Sequence, residues 1–96
     1  MNVYWHRELP PPNAVALAEH TIEADSVHVH GTYVERELWD RCVSDLAEAI
    51  ERRLAQEAAR LGGACAHVLD EHIDVKHDPA RDEAWLHGRY TYMLYR

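Results

Sequence analysis

The feature that most constrains this chain is an apolar stripe between Glu35 and Leu61. Leu38, Cys42, Leu46, Ile50, Leu54, Ala58 and Leu61 recur every three or four residues, with no Gly or Pro in the stretch. That spacing matches the turn of an α-helix and gathers these side chains on one face. At 1.5 Å per residue the helix would be about 40 Å long. Acidic residues in its first turn and Arg60 in its last complement the helix dipole. Gly62-Gly63 then supplies a residue able to take the left-handed conformation that stops a helix. A helix with a single apolar stripe must bury it, and the flanking sequence offers a sheet for that purpose.

Three segments alternate with the two-residue period of strands. In Asp25 to Val34, Val27, Val29 and Tyr33 fall on one side with Gly31 in phase, and His28, His30, Thr32 and Val34 on the other. In Ala64 to Lys76, Cys65, His67, Leu69, Ile73 and Val75 share a face. Ala66, Val68, Asp70, His72 and Asp74 share the opposite one. In Trp85 to Tyr95, Leu86, Tyr90, Tyr92 and Leu94 oppose Trp85, His87, Arg89, Thr91 and Met93. Gly88 leaves room on the first of these faces for a bulky group such as a helix side chain. The polar run His77 to Glu83 joins the last two strands and is longer than a tight hairpin turn.

Upstream, Met1 to Leu9 alternates as an edge strand would, and Pro10, Pro11 and Pro12 stop any ladder or helix. Asn13 to Glu23 is compatible with a loose strand or a short helical turn. The expected fold class is α+β, a β-α-β-β arrangement with one long helix packed on a small, mostly antiparallel sheet. It forms a single domain over residues 1–96, with a proline-containing segment at 1–24 ahead of a core at 25–95.

Composition narrows function. Ten Lys and Arg against seventeen Asp and Glu give a formal net charge of −7, which repels a nucleic-acid backbone. No stretch approaches the roughly 18 apolar residues of a membrane span, and the N-terminus lacks a signal peptide's basic start and apolar core. Neither nucleic acid nor membrane is therefore an expected partner. Cys42 and Cys65 fall on apolar faces and read as buried free thiols, in keeping with a reducing cytoplasm.

Eight histidines are the unusual count. If the helix covers the face with Val27, Val29, Leu69, Ile73, Tyr90 and Tyr92, then His28, His30, His72 and His87 all point the other way, together with Asp70 and Asp74. Imidazoles two apart on one strand and on neighbouring strands suit a borderline divalent ion such as Zn, Ni or Cu. His28 and His30 are the first candidates, then His72 and His87. Register decides whether they converge, because a slip of two residues moves a side chain about 7 Å. His67, beside Cys65 and Leu69, reads instead as a satisfied core histidine. Asp70 and Asp74 lie about 13 Å apart along a strand, too far for a glycosidase carboxylate pair. No phosphate-binding loop, dinucleotide fingerprint, helical zinc-protease motif or serine elbow occurs.

One helix covers only one face of a sheet. The other face, expected to carry Val34, Val68, Trp85 and Met93, suits burial against another subunit, so a homo-oligomer is the expected state. The rival arrangement is a monomer whose N-terminal segment, with Trp5, folds over that face. Three function classes follow: a small soluble oligomeric module of binding or structural role, a divalent-metal-binding protein using strand histidines, and a small enzyme with an interfacial His/Asp pocket. The non-enzymatic module is favoured.

The run Glu57-Ala58-Ala59-Arg60-Leu61-Gly62-Gly63-Ala64-Cys65-Ala66-His67-Val68, followed by a strand, a polar loop and a strand, resembles the YbjQ-like heavy-metal-binding family. Ser26-Val27-His28-Val29-His30-Gly31 is similar to that family's first, glycine-ending strand. The resemblance spans roughly Asp25 to Tyr95; the triproline segment has no counterpart in it. It implies a small α/β protein assembling into a ring such as a pentamer, and it supplies no secure ligand set.

Overall fold

The structure, a computed structural model, describes residues 1–30 and 35–96. The chain runs β1 (Asn2–Trp5), β2 (Ala16–Asp25), β3 (Val29–His30), α1 (Glu35–Leu61), β4 (Cys65–Asp78) and β5 (Glu83–Tyr95). The sheet order is β1-β4-β5-β2, and β3 also pairs with β5. Among the described residues only the β1–β4 pair is parallel. The helix, sheet class and hairpin of β4 and β5 are those the sequence predicts. The N-terminal segment contributes two further strands, one at each edge.

The helix forms for the reason its sequence states. Leu38, Cys42, Leu46, Ile50, Leu54 and Ala58 are all buried, and Leu61 is half-buried against the same core. The stripe lies chiefly over β5 and β2. It meets Leu86, Tyr90, Tyr92 and Leu94 of β5 and Ile22 of β2 in one apolar cluster. Gly62 closes the helix with φ +79°, and Gly63 N–H donates to Ala58 C=O at 2.8 Å. This six-to-one bond satisfies a carbonyl that the helix leaves free. Trp5 packs edge-on to Tyr90, with ring centroids 6.1 Å apart, so β1 extends the core beside the helix. Trp5 thus lies on the helix side of the sheet and not over its open face.

Two interruptions change the faces expected from alternation. A β-bulge between Val68 and Asp70 inserts Leu69 as an extra residue in β4. Before it, Ala66 and Val68 oppose Leu94 and Tyr92 and are fully buried under the helix. After it, Glu71, Ile73 and Val75 take that side, opposite Tyr90, Gly88 and Leu86. Cys65 and His67 therefore face away from the helix, Leu69 is exposed, and Val68 belongs to the core. An uninterrupted two-residue count cannot anticipate this, because one inserted residue reverses the phase.

The second interruption is Ser26. Strand β2 begins at Ala16, resolving the ambiguous segment as a strand, and it ends at Asp25. Ser26 is buried; its N–H donates to Leu86 C=O at 2.8 Å, and its Oγ accepts from Leu86 N–H at 2.9 Å. The side chain thereby takes a place in the ladder that a backbone carbonyl would hold. Val27 is displaced outward and exposed, whereas Val29 returns to the core opposite Ala84. The expected strand from Asp25 to Val34 is thus a strand end, a kink and the short β3; Gly31, Thr32, Tyr33 and Val34 lie outside the described residues.

Gly88 does leave space, but its occupant comes from the same strand. A Cβ there would sit 2.4 Å from the Tyr90 ring, which folds back across the glycine. The β4–β5 connection is Pro79 to Asp82, since both strands extend further than alternation alone indicated. An Asp78 carboxylate oxygen accepts from Ala80 N–H at 3.1 Å and fixes the turn's start.

Candidate functional site

The face turned away from α1 is the chemically varied surface. Its rows follow from register: Asp25 and Asp74 flank His87, Glu23 and His72 flank Arg89, and Thr21 and Asp70 flank Thr91. His30 opposes Glu83 in the β3–β5 pair. The His28 ring stacks on Trp85, with centroids 4.0 Å apart and planes 12° from parallel. Thus His28, His30, His72 and His87 do share one face, although they do not meet at one point.

His87 is held from two sides. Its Nδ1 lies 2.6 Å from Asp25 Oδ1 and its Nε2 lies 3.1 Å from Glu23 Oε1. The hydrogen bond to Asp25, then that to Glu23, raises the His87 pKa above its ordinary value, with partial burial opposing them. Both ring nitrogens face carboxylate oxygens, which can only accept, so this geometry suits a ring that donates from both. An imidazolium has no lone pair for a metal, and neither nitrogen is left to take a proton from a substrate. The pair has the hydrogen-bonding distance expected of an enzyme's His/Asp site, and it links β2 to β5.

The other three candidate histidines fall into two separate groups. His28 Nδ1 lies 2.9 Å from Glu83 Oε2, while His30 Nε2 is 3.8 Å from Glu83 Oε1. His72 Nε2 pairs with Asp74 Oδ1 at 3.2 Å, and both side chains are exposed. Glu83 and His87 are four residues apart on β5, or about 13 Å. Among the described residues, no group of three or more His, Cys, Asp or Glu side chains is placed to hold a metal ion. The residues that sequence reasoning missed are Glu83, which receives two imidazoles, and Glu23 and Asp25, which engage His87. Their charge was visible; their strand and register were not.

A second feature lies at the opposite end of the same face. From β1 at one edge, residues 6–15 cross the two central strands to reach β2 at the other. His67 Nε2–H donates to His6 C=O at 2.7 Å, which ties the crossing down, and Arg96 N–H donates to Val15 C=O at 2.8 Å at its far end. His67 is buried and satisfied as expected, though beneath this crossing and not under the helix. Between the crossing and the sheet is a groove of about 840 Å³, lined by Leu9, Pro10, Pro11, Pro12, Ala14, His67, Leu69 and Tyr95. Cys42 and Cys65 are both free and buried.

Among the described residues, no helix is long and apolar enough to cross a membrane. Comparison with protein-family models, curated proteins and solved structures finds no match to this chain.

Proposed function

We propose that the chain is a non-enzymatic, self-assembling module whose copies join edge to edge. The observation that carries this reading is a pair of long free edges that match each other. β1 pairs with β4 only from Cys65 to Val68, leaving the Asp70–Asp78 edge open, and β2 has β5 alone as its neighbour among the described residues. Both β2 and β4 run antiparallel to β5, so they run parallel to each other. They also stand at the same height, since Asp25 and Asp74 both oppose His87. Rotation about an axis along the strands would bring β2 of one copy beside β4 of the next in parallel. Such a head-to-tail contact closes a ring and removes the exposed edges.

Stacking two open faces is a poorer alternative. Glu19, Glu23, Asp25, Asp70, Asp74 and Glu83 share that face with Arg89 and Lys76, and self-stacking would oppose like charges. Ring assembly is also what the YbjQ-like resemblance implies, and cytoplasmic residence is compatible with two free thiols.

Divalent-metal binding is the second reading, favoured by the approach of both His28 and His30 to Glu83. Native mass spectrometry of untagged protein tests both, because it reports subunit number and retained ions together. The expected result is a closed oligomer larger than a dimer. In hydrogen exchange, consecutive amides across Thr21–Asp25 and Asp70–Asp74 should then be protected, whereas a free edge protects only alternate ones. A monomer, or alternate protection along both edges, would overturn the assembly. Metal uptake unchanged by combining His28→Ala with His30→Ala would overturn the second reading.

A further inference from the structure

We infer that neighbouring copies join with an offset of four residues, so that Glu19 and Glu23 of one copy stand beside His72 and Lys76 of the next. This rests on the edge-to-edge assembly proposed above and specifies its register. The offset follows first from β1. Within one sheet, Ala16, Ala18, Glu19 and His20 of β2 stand level with Cys65, Ala66, His67 and Val68 of β4. Those four β4 residues are the ones that β1 pairs with. His6 N–H donates to Val68 C=O at 2.9 Å, and the chain then leaves the edge. A neighbour's β2 brought in level would run its first half into β1. Moved by four rows, its nine ladder residues, Ala16 and Ala18 to Asp25, fall beside the nine residues Asp70 to Asp78. A smaller step keeps the overlap, and a larger one carries β2 past the end of β4. An odd step would set the helix side of one copy against the open side of the next.

Charge selects the same step. With four rows of offset, Glu23 comes beside Lys76, the chain's single lysine, and Glu19 comes beside the His72 imidazole. All four residues are exposed in the single copy. Level strands would put Asp25 beside Asp74. A two-row step would put Glu19 beside Asp70 and Glu23 beside Asp74, and adjacent like charges are destabilising. The four-row step leaves one like pair, Asp25 beside Asp78, at the last residues of both strands. There Arg81 Nε lies 3.9 Å from the Asp78 carboxylate and offsets part of the repulsion. On the helix side Ile22 comes beside Val75, which is 41% exposed in the single copy. Glu23 C=O accepts from Arg53 at 3.1 Å, and a carbonyl's second lone pair can take the neighbour's amide as well.

The step also suits a closed ring. Beyond β1 each copy adds three strands, β2, β5 and β4, or about 14 Å of sheet, while four residues span about 13 Å along a strand. The strands then lean about 40° from the ring axis, within the usual tilt of closed sheets.

Engineered cysteines in the full chain read this register. Within one copy Glu23 and His72 lie two strands apart, about 10 Å, which is beyond disulfide reach, so only bonds between copies can form. Glu23→Cys is combined in turn with His72→Cys, Asp74→Cys and Lys76→Cys, which match offsets of zero, two and four rows. Under diamide oxidation the Lys76 combination should link copies at least about tenfold faster than either of the others. Native mass spectrometry of each variant reports the assembly separately. A closed oligomer linked fastest through position 72 or 74 would overturn the offset and leave the edge-to-edge reading standing. A monomer, or a closed oligomer that none of the three combinations links, would overturn both. Charge inversion gives a second arm. Lys76→Glu and Glu23→Lys should each raise the concentration at which the assembly dissociates by at least about fivefold, and together they should return it to within about twofold of the unaltered chain. Inversions without effect, or rescue of Lys76→Glu by Asp25→Lys in place of Glu23→Lys, would overturn the four-row step.

Discussion

On β5, neighbouring residues occupy two different environments. Leu86, Tyr92 and Leu94 are fully buried and Tyr90 nearly so, whereas Trp85, His87, Thr91 and Met93 on the other side stay half-buried. The helix side is governed by volume: side chains there meet α1, and each lost atom leaves a hole. The open side is governed by pairing, with Asp25, Glu23, Glu83 and Asp74 each engaging a histidine. The same strand therefore sets two rules for substitution. Shape should decide the cost on one side, and charge state on the other.

The contrast is broken most forcefully from the helix. Ile50 is fully buried at the centre of the stripe. Ile50→Ala should cost about 3 kcal/mol, combining lost transfer energy with a cavity. Met93→Ala on the open side should cost under about 1 kcal/mol, because solvent and neighbours already share that space. Urea denaturation would show a large fall in midpoint for the first and a small one for the second. Comparable losses would mean that the open face is covered in solution, which would redirect the assembly from edges to faces.

Gly88 sharpens the comparison within a single strand. Its missing Cβ admits the Tyr90 ring, so Gly88→Ala should cost about 2 kcal/mol through overpacking. Tyr90→Ala creates a cavity on its own, but it also removes the atoms that an added methyl would strike. The double variant should thus be clearly more stable than the sum of the two single losses predicts. Additive losses in that double-mutant cycle would show that the tyrosine ring can move aside freely.

The helix and the two C-terminal strands were legible because their signals are local. Leu38 through Leu61 repeat at helical spacing, Gly62-Gly63 ends the repeat, and β5 alternates without interruption. What escaped was non-local. Nothing around Leu69 marks a bulge, since alternation continues through it with apolar residues on both sides of the count. Ser26 reads as an ordinary polar residue until Leu86 supplies both ends of its hydrogen bonding. Strand β2 was obscure because, as an edge strand, it buries just Ile22 fully and otherwise mixes Ala, Glu and His. For the histidines, their common face was readable from parity, but their separation into three groups depended on register. The partner of each was therefore invisible although its own position was not.

The smallest effect expected is also the one that isolates the open face. Because Asp25 and then Glu23 raise the His87 pKa above its ordinary 6.5, the folded chain holds that proton more tightly than the unfolded one. The resulting stabilisation is complete below the unfolded value and fades as pH rises through the elevated folded value. Its size should be under about 1 kcal/mol, since both carboxylates are substantially exposed. His87→Gln removes the titration while leaving a side chain able to bond either carboxylate. The urea midpoint of the unaltered chain minus that of the variant should therefore decline as pH is raised stepwise from below 6.5. Subtraction is needed because His6, His28 and His72 also approach carboxylates, and they do so in both proteins. A difference that stays level would show that the two carboxylates do not hold the proton. A difference that grows with pH would mean that the ring is preferred neutral, reopening it to a metal or to a role as a base.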